Sequence, residues 1–108
     1  MSQHAIDRLF AAIAARKGGD PNTSYTAKLL NDGVQRCAKK LGEEAVEAAI
    51  AATSGDKQAL TAESADVLYH LLVLWAACGV EPDDVYAALA AREGRSGIEE
   101  KNARNKKD

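Results

Sequence analysis

Two short acidic clusters constrain this chain more than any other feature: Glu43-Glu44-Ala45-Val46-Glu47 and Glu63-Ser64-Ala65-Asp66. Both stand in stretches that read as helix. Each holds an i,i+3 acidic pair, Glu44/Glu47 and Glu63/Asp66, and in a helix that spacing sets both side chains on one face. Like charges so placed repel, so a fold that keeps them has a use for them. Two helices packed antiparallel bring the pairs face to face. The outcome is a nest of oxygen ligands suited to a hard cation such as Mg²⁺.

The rest of the chain reads as helix too. Ile6, Leu9, Phe10 and Ile13 recur at i, i+3, i+4, i+7 and predict an amphipathic first helix. Lys17 to Asn22, with Gly18, Gly19 and Pro21, is a flexible connection. Ser24 caps a short helix through Leu30, and Asn31-Asp32-Gly33 breaks the chain. A long helix is expected from Val34 to Thr53, with Gly42 inside it at a cost of roughly 1 kcal/mol relative to Ala. That missing side chain lies just before the first acidic cluster, where it can admit a ligand or a neighbouring helix. Asp56 is placed to cap the next helix, Lys57 to Cys78, which Gly79 stops. Pro82, Asp83 and Asp84 suit the first turn of a last helix ending near Glu93-Gly94. No internal repeat and no strand-like alternation interrupts this pattern, so the fold class is all-α, a bundle of four to five helices. The 108 residues suit one domain, read as residues 1–94, followed by a basic polar tail, residues 95–108.

Composition narrows the function. The apolar fraction is 46%, mostly Ala and Leu, which favours helices packed closely through small side chains. A formal net charge of −2 gives no general attraction to nucleic acid or to an anionic membrane. Cys37 and Cys78 have no CxxC partner and read as buried free thiols in a reducing compartment. Met1 to Ala15 lacks the pattern of a signal peptide, and the apolar run Val67 to Val80 falls short of a membrane span. A cytoplasmic location is the expectation.

A helical wheel places Arg36, Lys40, Glu43, Glu44 and Glu47 on one stripe of the long helix. On the next helix, Leu60, Val67, Leu71, Leu74 and Trp75 form an apolar face, with Glu63, Asp66 and His70 along its edge. Two readings of the first cluster stand side by side. It is a solvated face, with Lys39 and Lys40 four residues before Glu43 and Glu44 as ordinary ion-pair partners worth about 0.3–0.5 kcal/mol each. Or it is half of a metal site. The second cluster, at the margin of an apolar helix, favours the metal site.

The order Glu-Glu-x-x-Glu, 15 residues, then Glu-x-x-Asp resembles the all-α nucleoside triphosphate pyrophosphatases, the MazG-like and dimeric dUTPase-like proteins. The flanking words narrow the likeness: Ser24-Tyr25-Thr26-Ala27-Lys28-Leu29-Leu30, Lys39-Lys40-Leu41-Gly42 before the first cluster, Val67-Leu68-Tyr69-His70-Leu71-Leu72 after the second, and Arg95-Ser96-Gly97-Ile98-Glu99-Glu100-Lys101. Together they resemble the phosphoribosyl-ATP pyrophosphatase family from about Leu9 to Arg104. The resemblance implies hydrolysis of 1-(5-phosphoribosyl)-ATP to 1-(5-phosphoribosyl)-AMP and pyrophosphate, the second step of histidine biosynthesis. It also implies Mg²⁺ as cofactor, and a homo-oligomer, at least a dimer, whose paired helices complete the bundle and its sites.

Carried over by this likeness and by the i,i+3 geometry, Glu44, Glu47, Glu63 and Asp66 are the expected metal ligands. Glu43 joins the catalytic set as a ligand to a second ion, an orienting group or a helper to the attacking water. Lys28, Arg36 and Lys40, and the tail's Arg95, Lys101 and Arg104, are the expected substrate contacts, with Lys40 first because it shares the acidic stripe. Lys39, Arg92 and Asn102 are weaker candidates of the same kind, and each of these cations reads equally as solubilising surface. His70 is either a hydrogen-bonded structural residue or an orienter of Asp66, and Tyr25 packs or stacks near the site. Trp75 and Leu71 to Leu74 belong to the core or to a subunit interface. Two other readings remain: a sister enzyme acting on other nucleoside triphosphates, and a helical dimerisation module without catalysis.

Overall fold

A computed structural model describes residues 4–93. Within them are five helices: α1 Ala5–Ala14, α2 Tyr25–Asp32, α3 Val34–Thr53, α4 Lys57–Cys78 and α5 Pro82–Ala90. No strand occurs among the described residues, so the all-α expectation stands. The tail residues Arg95, Lys101, Asn102 and Arg104 lie outside the described part.

The helix ends follow capping chemistry. Ser24 Oγ accepts the Ala27 N–H at 3.1 Å, and Asp56 Oδ1 accepts the Ala59 N–H at 2.9 Å. Asp84 Oδ2 accepts the Glu81 N–H at 3.1 Å, closing the first turn of α5 behind a buried Pro82. Gly33 joins two helices by itself. At φ +101 its N–H donates to the Leu29 carbonyl, and its own carbonyl accepts from Cys37 N–H. α2 thus runs two residues past Leu30, because only Gly33 takes the conformation that ends it. α5 stops at Ala90, and residues 91–93 form a turn.

α3 and α4 are the two long helices. They are joined by the three-residue turn Ser54-Gly55-Asp56, which sends α4 back antiparallel along α3. α1 and α2 pack across this pair and close a small core. Its buried members are Ile13, Leu29, Cys37, Leu72, Val73 and Ala76, with Ile6, Leu9, Phe10, Leu30, Tyr69 and Trp75 partly buried against it. The Cys37 thiol donates to the Leu29 carbonyl at 3.2 Å, and burial pushes its pKa up.

Two expectations need correction. The fully buried positions of α4 are His70, Leu72, Val73 and Ala76, none of them among Leu60, Val67, Leu71, Leu74 and Trp75, of which Leu74 and Trp75 pack partly buried against the core. Those five are only half-buried. α4 is apolar around most of its circumference, so periodicity alone does not choose its inner face. Cys78 is exposed rather than buried, because α4 ends there and Gly79 turns the chain away at φ +76. Among the described residues, no single helix is long and apolar enough to cross a membrane.

Candidate metal and phosphate site

The antiparallel pairing of α3 and α4 brings the two acidic clusters together. One carboxylate oxygen each from Glu44, Glu63 and Asp66 lies within 4.8 Å of the other two. Glu47, one turn beyond Glu44, acts electrostatically on both Glu44 and Glu63. The pKa of Glu44 is pushed up to about 7, first by burial, then by a hydrogen bond to Glu47 and by the charges of Glu47, Asp66 and Glu63. Burial, followed by the charges of Glu47 and Asp66, raises the Glu63 pKa as well.

Glu63 Oε2 is buried with no hydrogen-bond partner. A buried carboxylate oxygen without a donor is costly, and repulsion among four acids adds to the cost. A hard divalent cation answers both, since it takes carboxylate oxygens and offsets their charge. The residues present therefore fit such an ion. Along α3 the nest opens into a concavity of about 620 Å³ lined by Lys40, Gly42, Glu43, Glu44, Val46 and Glu47.

Glu43, adjacent in sequence, lines the same concavity but pairs with a lysine. Its Oε1 lies 3.3 Å from Lys40 Nζ, an i,i+3 pair rather than the i,i+4 pairing expected from spacing. The Lys40 pKa is raised, chiefly by this hydrogen bond, then by Tyr25 and the Glu43 charge, with a smaller contribution from Glu44. Lys40 thus stands at the edge of the nest. Arg36 is exposed one turn before it on the same stripe. Lys28 lies on α2, where its Nζ is 3.2 Å from Asp32 Oδ2. Lys39 and Arg92 are exposed.

His70 is 6% exposed, one turn beyond Asp66, and its Nδ1 has no hydrogen-bond partner. Its ring meets Tyr69 edge-on at 4.9 Å and Tyr25 at 6.3 Å between centroids. Burial, followed by the Lys40 charge, lowers the His70 pKa, against the pull of Asp66 and Glu43. A hydrogen bond between Thr26 Oγ1 and Tyr69 Oη ties α2 to α4 beside this ring. Sequence spacing did not reveal that link, because it joins hydroxyls 43 positions apart.

The family model described as phosphoribosyl-ATP pyrophosphohydrolase matches residues 6–93. The chain is 60% identical over 104 residues to a protein of Azospirillum brasilense named phosphoribosyl-ATP pyrophosphatase, covering 96% of this chain and 94% of that one. Proteins of the same name from Parvibaculum lavamentivorans and Paramagnetospirillum magneticum are 63% and 59% identical over 102 residues, each match covering 94% of both chains. The match takes in all of α2 to α5, α1 from its second residue and both acidic clusters, and on this ground the chain belongs to the phosphoribosyl-ATP pyrophosphohydrolase family.

Proposed function

We propose that this chain hydrolyses 1-(5-phosphoribosyl)-ATP between its α and β phosphates, releasing 1-(5-phosphoribosyl)-AMP and pyrophosphate, as a step of histidine biosynthesis in the cytoplasm. Glu44, Glu47, Glu63 and Asp66 hold Mg²⁺. Family membership and the relatives' names support the substrate. The observation that carries the chemistry is the unpartnered, buried Glu63 Oε2, in a site where burial and the neighbouring acidic charges raise the proton affinity of Glu44 and Glu63.

Hydrolysis of a phosphoanhydride is mainly a problem of charge and position. When bound, Mg²⁺ offsets polyphosphate charge and fixes the chain of phosphates in place. The protein's share is to aim four carboxylates at one point from two rigid helices. It also supplies a proton acceptor for the attacking water from the same set. Lys40 contacts phosphate at the edge of the nest. Arg36 and Lys28, with the tail's Arg95, Lys101 and Arg104, add charge along the substrate.

The working unit is a homodimer. Val46 and Ile50, one turn apart on α3, are 59% and 58% exposed, and Leu68 on α4 is 43% exposed. A second copy covers this apolar surface and the half-buried face of α4, completing the bundle.

Competition between substrates tests the assignment. The kcat/KM for phosphoribosyl-ATP is expected to exceed that for ATP or dUTP by about a hundredfold or more, the scale a dedicated polar site reaches. Equal turnover of ordinary nucleoside triphosphates would move the chain to the sister activity.

A further inference from the structure

Lys40 has two acids within reach on its own helix, Glu43 at i,i+3 and Glu44 at i,i+4, and both spacings allow an ion pair. The pair formed is with Glu43, at 3.3 Å. Glu44 turns instead toward Glu47, Glu63 and Asp66. The choice has consequences because the Lys40 side chain is only 23% exposed, against 48% for Glu43. The packed stem limits where the ammonium can reach, so its partner is one of these two acids. The next carboxylate along belongs to the nest. Lys40 already feels the charge of Glu44, and His70 in turn feels the charge of Lys40.

We propose that Glu43 is a positioning residue that holds the Lys40 ammonium off the Glu44–Glu47–Glu63–Asp66 nest, leaving those four carboxylates to a divalent cation and the ammonium to an incoming phosphate. This rests on the metal-binding reading of the nest. Without Glu43, the Lys40 side chain rotates onto Glu44, its other helical neighbour. There it acts as an internal counter-ion and competes with the cation. Glu43 thus serves the site through Lys40 and not as a ligand.

The test is a double-mutant cycle on Mg²⁺ affinity, read by calorimetry on the full chain without substrate, in about 0.15 M salt to screen long-range charge. Wild type, Glu43→Gln, Lys40→Met and the double variant are compared, with circular dichroism confirming the fold of each and Glu43→Ala as a second removal. Glu43→Gln is expected to weaken Mg²⁺ binding by about tenfold when Lys40 is present, a coupling usual for contacting charges. In the Lys40→Met background the same change is expected to have almost no effect. Equal weakening in both backgrounds would overturn the proposal, because Glu43 would then act on the cation directly. No weakening in either background would overturn it too. A folded wild type that binds no Mg²⁺ would sink the metal-binding reading itself, and this inference with it.

Discussion

Glu44 is where the electrostatics of the site concentrate, and its titration gives a signed prediction. In an unfolded chain its carboxyl loses its proton near 4.5; folded and metal-free, near 7. Between those values the folded state binds more protons than the unfolded one. The stability due to this group is therefore full below 4.5 and is lost as pH rises toward 7. A bound cation reverses the trend, because it takes the place of the proton. Melting curves of wild type and Glu44→Gln across that window check this, since the opposing contribution of His70 is common to both. Without metal, Glu44→Gln is expected to gain on wild type as pH rises. With Mg²⁺ the gap should close or invert, and parallel curves in both conditions would contradict the reading. The acidic register itself was legible, because i,i+3 spacing on a helix leaves one geometry. The partner of Lys40 was not, because i,i+3 and i,i+4 neighbours are equally near on a helix surface and only the packed nest decides between them.

At the scale of elements, caps and the inner face of α1 were legible and the inner face of α4 was not. Ser24, Asp56 and Pro82 mark helix starts by local chemistry that tertiary contacts do not override. Gly79 marks a stop for the same reason. Its φ of +76 lies in the left-handed region, and a Cβ there would meet nothing within 4 Å, so strain is the whole effect of adding one. Gly79→Ala is expected to cost about 1 kcal/mol, a fall in Tm of roughly 4–8 °C for a domain of this size, with metal affinity unchanged. An unchanged Tm would show that the α4–α5 corner relaxes. The inner face of α4 escaped sequence reasoning because Leu and Ala lie on nearly every side of it. Such a helix offers no single apolar stripe from which its inner face can be chosen.

Across the whole molecule, the proposed second copy has a surface to cover. The core closed by α1, α2, α3 and α4 leaves Val46, Ile50 and Leu68 exposed on the long-helix pair. Gly42 adds to the same surface, since a Cβ there meets nothing within 4 Å in one chain. Ile50→Asp is expected to convert the proposed dimer to a monomer in sedimentation, with helix content kept. A monomeric wild type would contradict the dimer. Fold class and acidic motif were readable without coordinates because both depend on local spacing. The exposed apolar surface was not, because exposure is a property of the packed chain.

Metal-dependent pyrophosphate release is the activity proposed for the four carboxylates. The direct measurement is pyrophosphate formed from phosphoribosyl-ATP, with and without Mg²⁺, by wild type and by Glu47→Ala, with circular dichroism confirming that both are folded. Release by wild type that requires Mg²⁺, and its loss by at least about a hundredfold in the variant, is the predicted result. Release that persists without the cation, or that Glu47→Ala leaves intact, would contradict it.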